Sequence, residues 1–285
     1  MGGESVLEKE YMDHNFEGEI CLERIKSKLP WDMPKMHSHN YHELYFLVSG
    51  SRKYFVGHTI YDVSPGDIVI IPQNELHRTS GGVAGYERYA LYFSDALTED
   101  FKKEMGNEFF EKILKLGSVN LPGYAKEKVF SLLKEIEQEQ RKSDEFSSLV
   151  IKRALYNIFI TILRHGSKIK QNSNKKIDAI EQALIYINEN YAQDLSLSSV
   201  AKISYMEETY FSKRFKKLTG FGFSEYLTHT RIKVAEELLK NSDLSINEIS
   251  DQCGFSGSNY FGDLFKKING ISPSAYRKSV RETNK

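Results

Sequence analysis

Between residues 18 and 95 the chain sets short apolar runs between turn residues. Apolar side chains fill 44–48 and stop at Ser49-Gly50; a second run, 54–56 after Lys53, stops at Gly57. A third run, 68–71, follows Pro65-Gly66-Asp67 and ends at Pro72, and a fourth, 89–93, follows the break at Gly81-Gly82. β-Branched and aromatic runs punctuated in this way predict a small all-β barrel or sandwich. The period then changes. Residues 126–141 carry Val129, Leu132, Leu133 and Ile136 at helical spacing, and 148–165 are apolar over most of a helix circumference. A helix that apolar is buried on more than one side. The two segments predict a helical hairpin packed on the β domain or on a second subunit. Residues 166–176, GSKIKQNSNKK, are polar and aperiodic and predict a linker. Beyond it the pattern is helical to residue 278, with breaks at Gly220, Gly254 and Gly270. The expected domains are therefore 1–165 and 177–285, joined by 166–176.

The helical zone repeats itself. Phe211, Phe215, Lys216, Lys217, Gly220, Ser224 and Tyr226 recur 50 residues later as Phe261, Phe265, Lys266, Lys267, Gly270, Ser274 and Tyr276. Leu195-Ser196-Leu197 recurs at an offset of 49 as Leu244-Ser245-Ile246. Two copies are too few for a solenoid and predict tandem modules. Each copy has the pattern of a helix-turn-helix. In the first, Leu197, Val200, Ala201 and Ile203 mark a short helix, and Phe211 and Phe215 set the inward face of the next. In the second, Ile246 and Ile249 mark the short helix, Gly254 makes the turn, Ser256 is placed to cap the next helix, and Phe261 and Phe265 face inward. Thr209, Ser212, Lys213 and Lys216 then point outward in one copy, and Asn259, Tyr260, Asp263, Lys266 and Lys267 in the other. Such faces suit a DNA duplex: Asn reads adenine, Asp accepts from cytosine N4, and Lys meets phosphate or guanine. The bland alternative is the solvated face of a helical bundle, which two copies in register disfavour.

Residues 175–278 resemble the DNA-binding domain of the AraC/XylS family. The resemblance is carried by 210–216 (YFSKRFK), by Arg231-Ile232 leading into 235–239 (AEELL), by Gly254-Phe255-Ser256, and by 265–267 with 270–277 (GISPSAYR). It implies seven helices, with 231–239 as a rigid connector and both recognition helices in successive major-groove segments roughly 34 Å apart. Some positions depart from the pattern. Glu207 stands at a position usually held by Ser or Asn, Tyr205 at a common Gly position, Ser250 at a small Ala position, Gly262 lies inside the second recognition helix, and Asp263 puts negative charge on a groove-facing site.

Composition alone would not have shown this. The 285 residues hold 39 Lys and Arg against 39 Asp and Glu, so DNA binding does not follow from net charge. Residues 175–285 hold 16 basic and 14 acidic residues, a surplus of the right sign but small. Cys21 and Cys253, one in each half, fit a reducing cytosol and argue against a disulfide scaffold. No run is long enough to span a membrane, and the first residues lack a secretory signal pattern, so a cytoplasmic protein without a membrane partner is expected.

The β zone adds candidate chemistry. His37, His39 and Glu43 are followed by Gly66, Pro72 and His77 in a spacing that resembles the two cupin motifs. Trp31, Asn74 and Gly81 depart from those motifs, although Asn tolerates the left-handed backbone that Gly would supply. His37, His39 and Glu43 share parity, so a single strand would point all three to one face, with His77 joining them. Three readings stay open. The four are metal ligands for Zn, Ni, Mn or Fe; they line a metal-free polar pocket for a small molecule; or the histidines have no ligand role. Tyr45 shares their parity, and Trp31 is placed to stack on a sugar ring. His14, His42, His58, His165 and His229 have no evident partners in the sequence.

The expected architecture is thus α+β with two domains: a cupin-like β-barrel with a helical hairpin, then an all-α tandem helix-turn-helix domain. The expected function is a DNA-binding transcription regulator rather than an enzyme, with a small-molecule effector, a sugar being the candidate, in the barrel. No cofactor is required unless a divalent metal fills the pocket. The resemblance implies an activator that contacts promoter DNA and RNA polymerase, and the hairpin suggests a homodimer. The competing class is a metal-dependent cupin enzyme with a helical appendage.

Overall fold

The computed structural model describes residues 18–29, 31–33, 36–57, 59–81, 85–169 and 179–282. His14, His58, Gly82 and the linker positions 170–176 lie outside them. Two compact units result, one drawn mainly from the N-terminal part of the chain and one mainly from the C-terminal part.

In the N-terminal unit β1 (Ile20–Ser27), β7 (Tyr86–Phe93), β2 (His42–Ser49), β5 (Ile68–Ile71), β8 (Ser118–Asn120) and β9 (Ser167–Lys168) form one sheet in that order. A second sheet holds β4 (Thr59–Val63), β3 (Arg52–Val56) and β6 (His77–Gly81). Four helices complete the unit, with β8 between the second and third and β9 after the fourth: α1 (Glu99–Met105), α2 (Asn107–Leu114), α3 (Gly123–Lys142) and α4 (Ser147–His165). The hairpin expected over 126–165 is α3 and α4. The expected linker differs: its first residues are strand, with Lys168 opposite Val119 and Ser167 opposite Asn120. A two-residue edge strand has no periodicity of its own to read, so the sequence could not show it.

The larger sheet has two unlike faces because side chains alternate along each strand. Leu22, Leu44, Phe46, Ile68, Ile70, Tyr89, Leu91 and Phe93 share one face and are buried with Phe110, Val129, Leu133, Ile136, Ile158, Phe159 and Ile162 of the helices. Each large apolar side chain so buried contributes about 1.5–3 kcal/mol relative to exposure. The other face carries Glu43, Tyr45, Arg88 and Tyr92, whose register places Glu43 opposite Tyr92 and Leu47 opposite Arg88. That face looks toward the smaller sheet, since the Tyr54 hydroxyl donates to Glu43 Oε1 at 3.1 Å and the Tyr45 and Tyr54 rings lie 4.8 Å apart. One sheet therefore divides a greasy core from a polar interior.

The C-terminal unit is helical: α5 (Ala179–Asn190), α6 (Leu197–Ile203), α7 (Glu208–Thr219), α8 (Phe223–Asn241), α9 (Ile246–Gln252), α10 (Ser258–Asn269) and α11 (Pro273–Glu282). These are the seven helices that the family resemblance implied, counted among the described residues. The sequence repeat is also a repeat of geometry. Ser196 with Ser199, and Ser245 with Glu248, close a capping box on α6 and on α9. Phe215 meets Tyr226 edge-on at 5.5 Å, and Phe265 meets Tyr276 edge-on at 5.4 Å. Gly220 and Gly270 end α7 and α10 with φ of 81° and 76°, the left-handed closure that favours glycine.

The connector α8 holds a half-buried acid. Burial pushes the Glu236 carboxyl up to about 7, against the opposing pull of Asn269 and Lys233. A carboxyl raised in the fold stabilises below its unfolded value and loses that contribution as pH rises toward the folded one. Glu236→Gln is therefore expected to be neutral near pH 4 and to stabilise by about 2–3 kcal/mol above pH 8. Urea unfolding of both chains at the two pH values checks this; an equal difference at both would refute it.

Candidate functional site

The two recognition helices present the faces that the sequence predicted. Phe211, Phe215, Phe261 and Phe265 are fully buried. On the reverse of α7, Thr209, Lys213 and Lys216 are exposed and Ser212 half-buried; on α10, Asn259, Tyr260, Asp263, Lys266 and Lys267 are exposed. Lys213, Lys216, Lys266 and Lys267 form no ion pair among the described residues, which leaves their charge available to phosphate. Gly262 sits among them with nothing within 4 Å of where a Cβ would lie. Gly262→Ala should therefore stabilise the chain by about 1 kcal/mol, the helix-propensity difference, in a thermal melt.

The starts of the two helices differ. Glu207 caps α7, accepting from the backbone N–H of Thr209 and Tyr210 at 2.9 Å each, and those bonds hold its carboxyl below the usual range. So Glu207 does the work of the usual Ser or Asn. Tyr205 takes the left-handed turn at φ 54° and is 95% exposed, where the second copy has Gly254. On α10 the expected cap fails. Gly257, extended, is the N-cap with no side-chain bond, and Ser256 lies one position too early to reach the helix. Ser250 is buried, as the small residue expected there would be.

Arg231 of α8 ties the halves together. Its Nε donates to Tyr191 O and its Nη2 to Gln193 O, both at 2.8 Å, while its guanidinium lies 5.9 Å from the Phe255 ring centre. Gly254 packs on the same loop: a Cβ there would lie 2.4 Å from Ala192 O. Backbone and guanidinium together fix the second module against the segment that precedes the first.

The second candidate site lies between the sheets. His37 and His39 are not on a strand with Glu43, as parity suggested: β2 begins at His42, after a bend at 40–41. The groups still meet. His39 Nε2 is 3.3 Å and His77 Nε2 3.4 Å from Glu43 Oε2. Ring nitrogens of His37, His39 and His77 lie within 4.8 Å of one another. Asn74 makes the approach possible, taking φ 59° and donating its N–H to His39 O. Nδ1 of His39 bonds Tyr41 O at 2.8 Å and Nδ1 of His77 bonds Glu75 O at 2.9 Å. A carbonyl only accepts, so Nδ1 carries the proton in both rings and Nε2 is aimed at the carboxylate. Burial lowers the His39 pKa despite Glu43; burial alone would raise Glu43, but the two imidazoles, which donate to it from Nε2 only when that nitrogen is also protonated, hold it well below the carboxylate range.

Tyr45 joins this interior, fully buried. Trp31 contributes its backbone carbonyl, which accepts from Arg52 Nη1 at 2.7 Å. Arg52, Tyr54, Tyr86, Arg88 and Tyr92 also line it, and sequence reasoning did not single them out. Strand parity was the available signal, since Arg52 and Tyr54 alternate with exposed Lys53. The remaining histidines among the described residues have structural partners. His42 accepts from Gln73 N–H and faces Asp95, His165 meets the Tyr124 hydroxyl, and His229 stacks on Phe221.

A β domain with a polar interior is joined in one chain to two helix-turn-helix modules. The profile of the AraC-like ligand binding domain matches residues 20–157, and that of a helix-turn-helix domain matches 200–279. The chain belongs to the AraC family of transcriptional regulators. Over 113 residues, 40% of each chain, it is 43% identical to the uncharacterized HTH-type transcriptional regulator YijO of Escherichia coli K12. It is 24% identical over 92% of each chain to the HTH-type transcriptional activator RhaR of Mannheimia succiniciproducens. The matches to YijO and to the regulatory protein PocR of Salmonella typhimurium span only 40% and 35% of those proteins. Among solved structures, the DNA-binding domain of AdpA in complex with a target DNA is 29% identical over 37% of this chain and 96% of that one, with a TM-score of 0.37.

Proposed function

We propose that the chain is a one-component transcription activator: a small molecule bound between the sheets of the N-terminal unit changes how the two helix-turn-helix modules grip promoter DNA. The observation that carries this reading is the pair of matched recognition helices with exposed polar faces, on which Lys213, Lys216, Lys266 and Lys267 form no ion pair among the described residues. The effector site is His37, His39, Glu43, Tyr45 and His77 with Trp31 beside them, and ligand recognition there is binding without turnover. The DNA-reading residues are Thr209, Ser212, Lys213, Lys216, Asn259, Tyr260, Asp263 and Lys266. The sensor unit is 1–165 extended by the short strand at Ser167–Lys168, and the DNA-binding unit is 177–285. Action on promoters with RNA polymerase places the protein in the cytoplasm. A homodimer through the α3–α4 hairpin is favoured by Phe146 and Leu149, 61% and 71% exposed at its tip. A ligand can act as a switch only by binding one conformation more tightly. The test is a melt of the full chain with candidate metabolites, followed by DNA titration. An effector raises the melting temperature and shifts DNA affinity by the same coupling in both directions; ligands that stabilise without moving DNA affinity would sink the switch.

A second reading of the same pocket rests on the Nδ1 anchors. Two imidazoles held with Nε2 toward a carboxylate fit a divalent cation, which His37, His39, Glu43 and His77 would hold. Metal analysis of purified protein, with a melt before and after chelation, separates the two: retained metal and a lowered melting temperature favour the metal centre.

A further inference from the structure

The interior holds a cation that the effector site as described does not use. Arg52 is 3% exposed. Its Nε donates to Thr79 Oγ1 at 3.1 Å, its Nη1 to Trp31 O, and its guanidinium stacks 4.2 Å from the centre of the Tyr86 ring. Nη2 is buried and has no hydrogen-bond partner among the described residues. No carboxylate forms an ion pair with it among the described residues. Two other arginines of these strands have carboxylate partners: Arg24 pairs with Glu87 and Arg88 with Glu23. Asp32, next in the chain to Trp31, instead accepts from the Gly81 N–H at 2.5 Å. The chain also makes room for this guanidinium, since a Cβ at Gly81 would lie 2.5 Å from Nη1.

A guanidinium cannot shed its proton, so burial without a counter-charge is a standing cost to the fold. A stacked tyrosine and two neutral acceptors do not cancel a full charge. What they do is hold the guanidinium plane fixed, with Nη2 left to complete a bidentate contact. Arg52 and Tyr54 share one face of β3, two residues apart, and Tyr54 reaches Glu43. The interior is therefore cationic at Arg52 and hydrogen-bonding at Tyr54, Glu43 and His77.

We propose that Arg52 receives an anionic group of the effector, a carboxylate or a phosphate, so that the effector is an acidic small molecule rather than a neutral sugar. This rests on the effector site proposed for the same interior. The experiment is thermal melting of the full chain, wild type and Arg52→Met, with gluconate, acetate, inorganic phosphate or glucose, each against sodium chloride at equal ionic strength. Without additive, Arg52→Met should melt no lower than wild type, because it removes an unneutralised charge. At least one anion should raise the wild-type melting temperature by several degrees beyond chloride, and Arg52→Met should lose that shift. A response to gluconate or acetate identifies the carboxylate arm, and a response to phosphate the other. A shift by glucose that Arg52→Met retains keeps the effector site and overturns the anion assignment. Wild type indifferent to every anion, or an anion shift equal in both chains, overturns it as well. If Arg52→Met does not fold, Arg52 is a structural strut unless wild type shows the anion shift and Arg52→Lys, which keeps the charge without the planar fork, weakens it.

Discussion

Gly254→Ala should cost the C-terminal unit about 2–4 kcal/mol, the largest stability loss expected from adding one methyl group here. Two independent penalties add. The residue has φ 76°, where an L side chain is strained, and the new Cβ would sit 2.4 Å from the Ala192 carbonyl oxygen. That oxygen belongs to backbone and cannot swing aside. Gly262→Ala is the matched control, since it adds the same atom into open space. Urea unfolding of the two variants should move in opposite directions. Equal midpoints for Gly254→Ala and wild type would mean that the second module does not pack on the 191–193 segment as described.

The second large effect is on DNA. Lys213→Glu with Lys216→Glu should lower affinity for a specific duplex by a factor of about 100 or more at physiological salt. Two phosphate-facing cations are lost and two repulsions gained. The slope of log affinity against log salt should flatten by about 0.9 for each phosphate contact removed. Asn259→Ala should behave differently. An asparagine that reads a base carries about 1–3 kcal/mol of discrimination and no counterion release, so its loss should blunt sequence preference and leave the salt slope alone. Titrations from 50 to 200 mM salt, roughly the range over which phosphate contacts show, separate the two. An unchanged slope in the double variant would move the contact surface off α7.

Much of the C-terminal unit is legible in the sequence because the repeat is enforced by packing. Phe211 and Phe215, and their counterparts Phe261 and Phe265, must face inward at a spacing of four, which leaves only one face for polar residues. The Gly220 and Gly270 stops come from the same logic, since α7 and α10 both end in a left-handed residue. The features that sequence reasoning misses depend on tertiary neighbours. The Glu207 cap replaces a hydroxyl with a longer carboxylate, which only the turn conformation makes possible. His39 meets Glu43 across a bend, so strand parity gives the correct partners for an incorrect reason. In sequence Arg52 resembles an ordinary strand-end cation beside Lys53; its burial follows from Gly81 and Tyr86, which come from strands far along the chain.

Two modules reading one duplex are central to the proposed mechanism. Selection of bound sequences from random DNA by the full chain tests that directly. The expected outcome is two preferred blocks whose centres lie about one helical turn, roughly 10 base pairs, apart, each sensitive to substitution in one recognition helix. A single block, unaffected by changes in α10, or no enrichment at all, would contradict it.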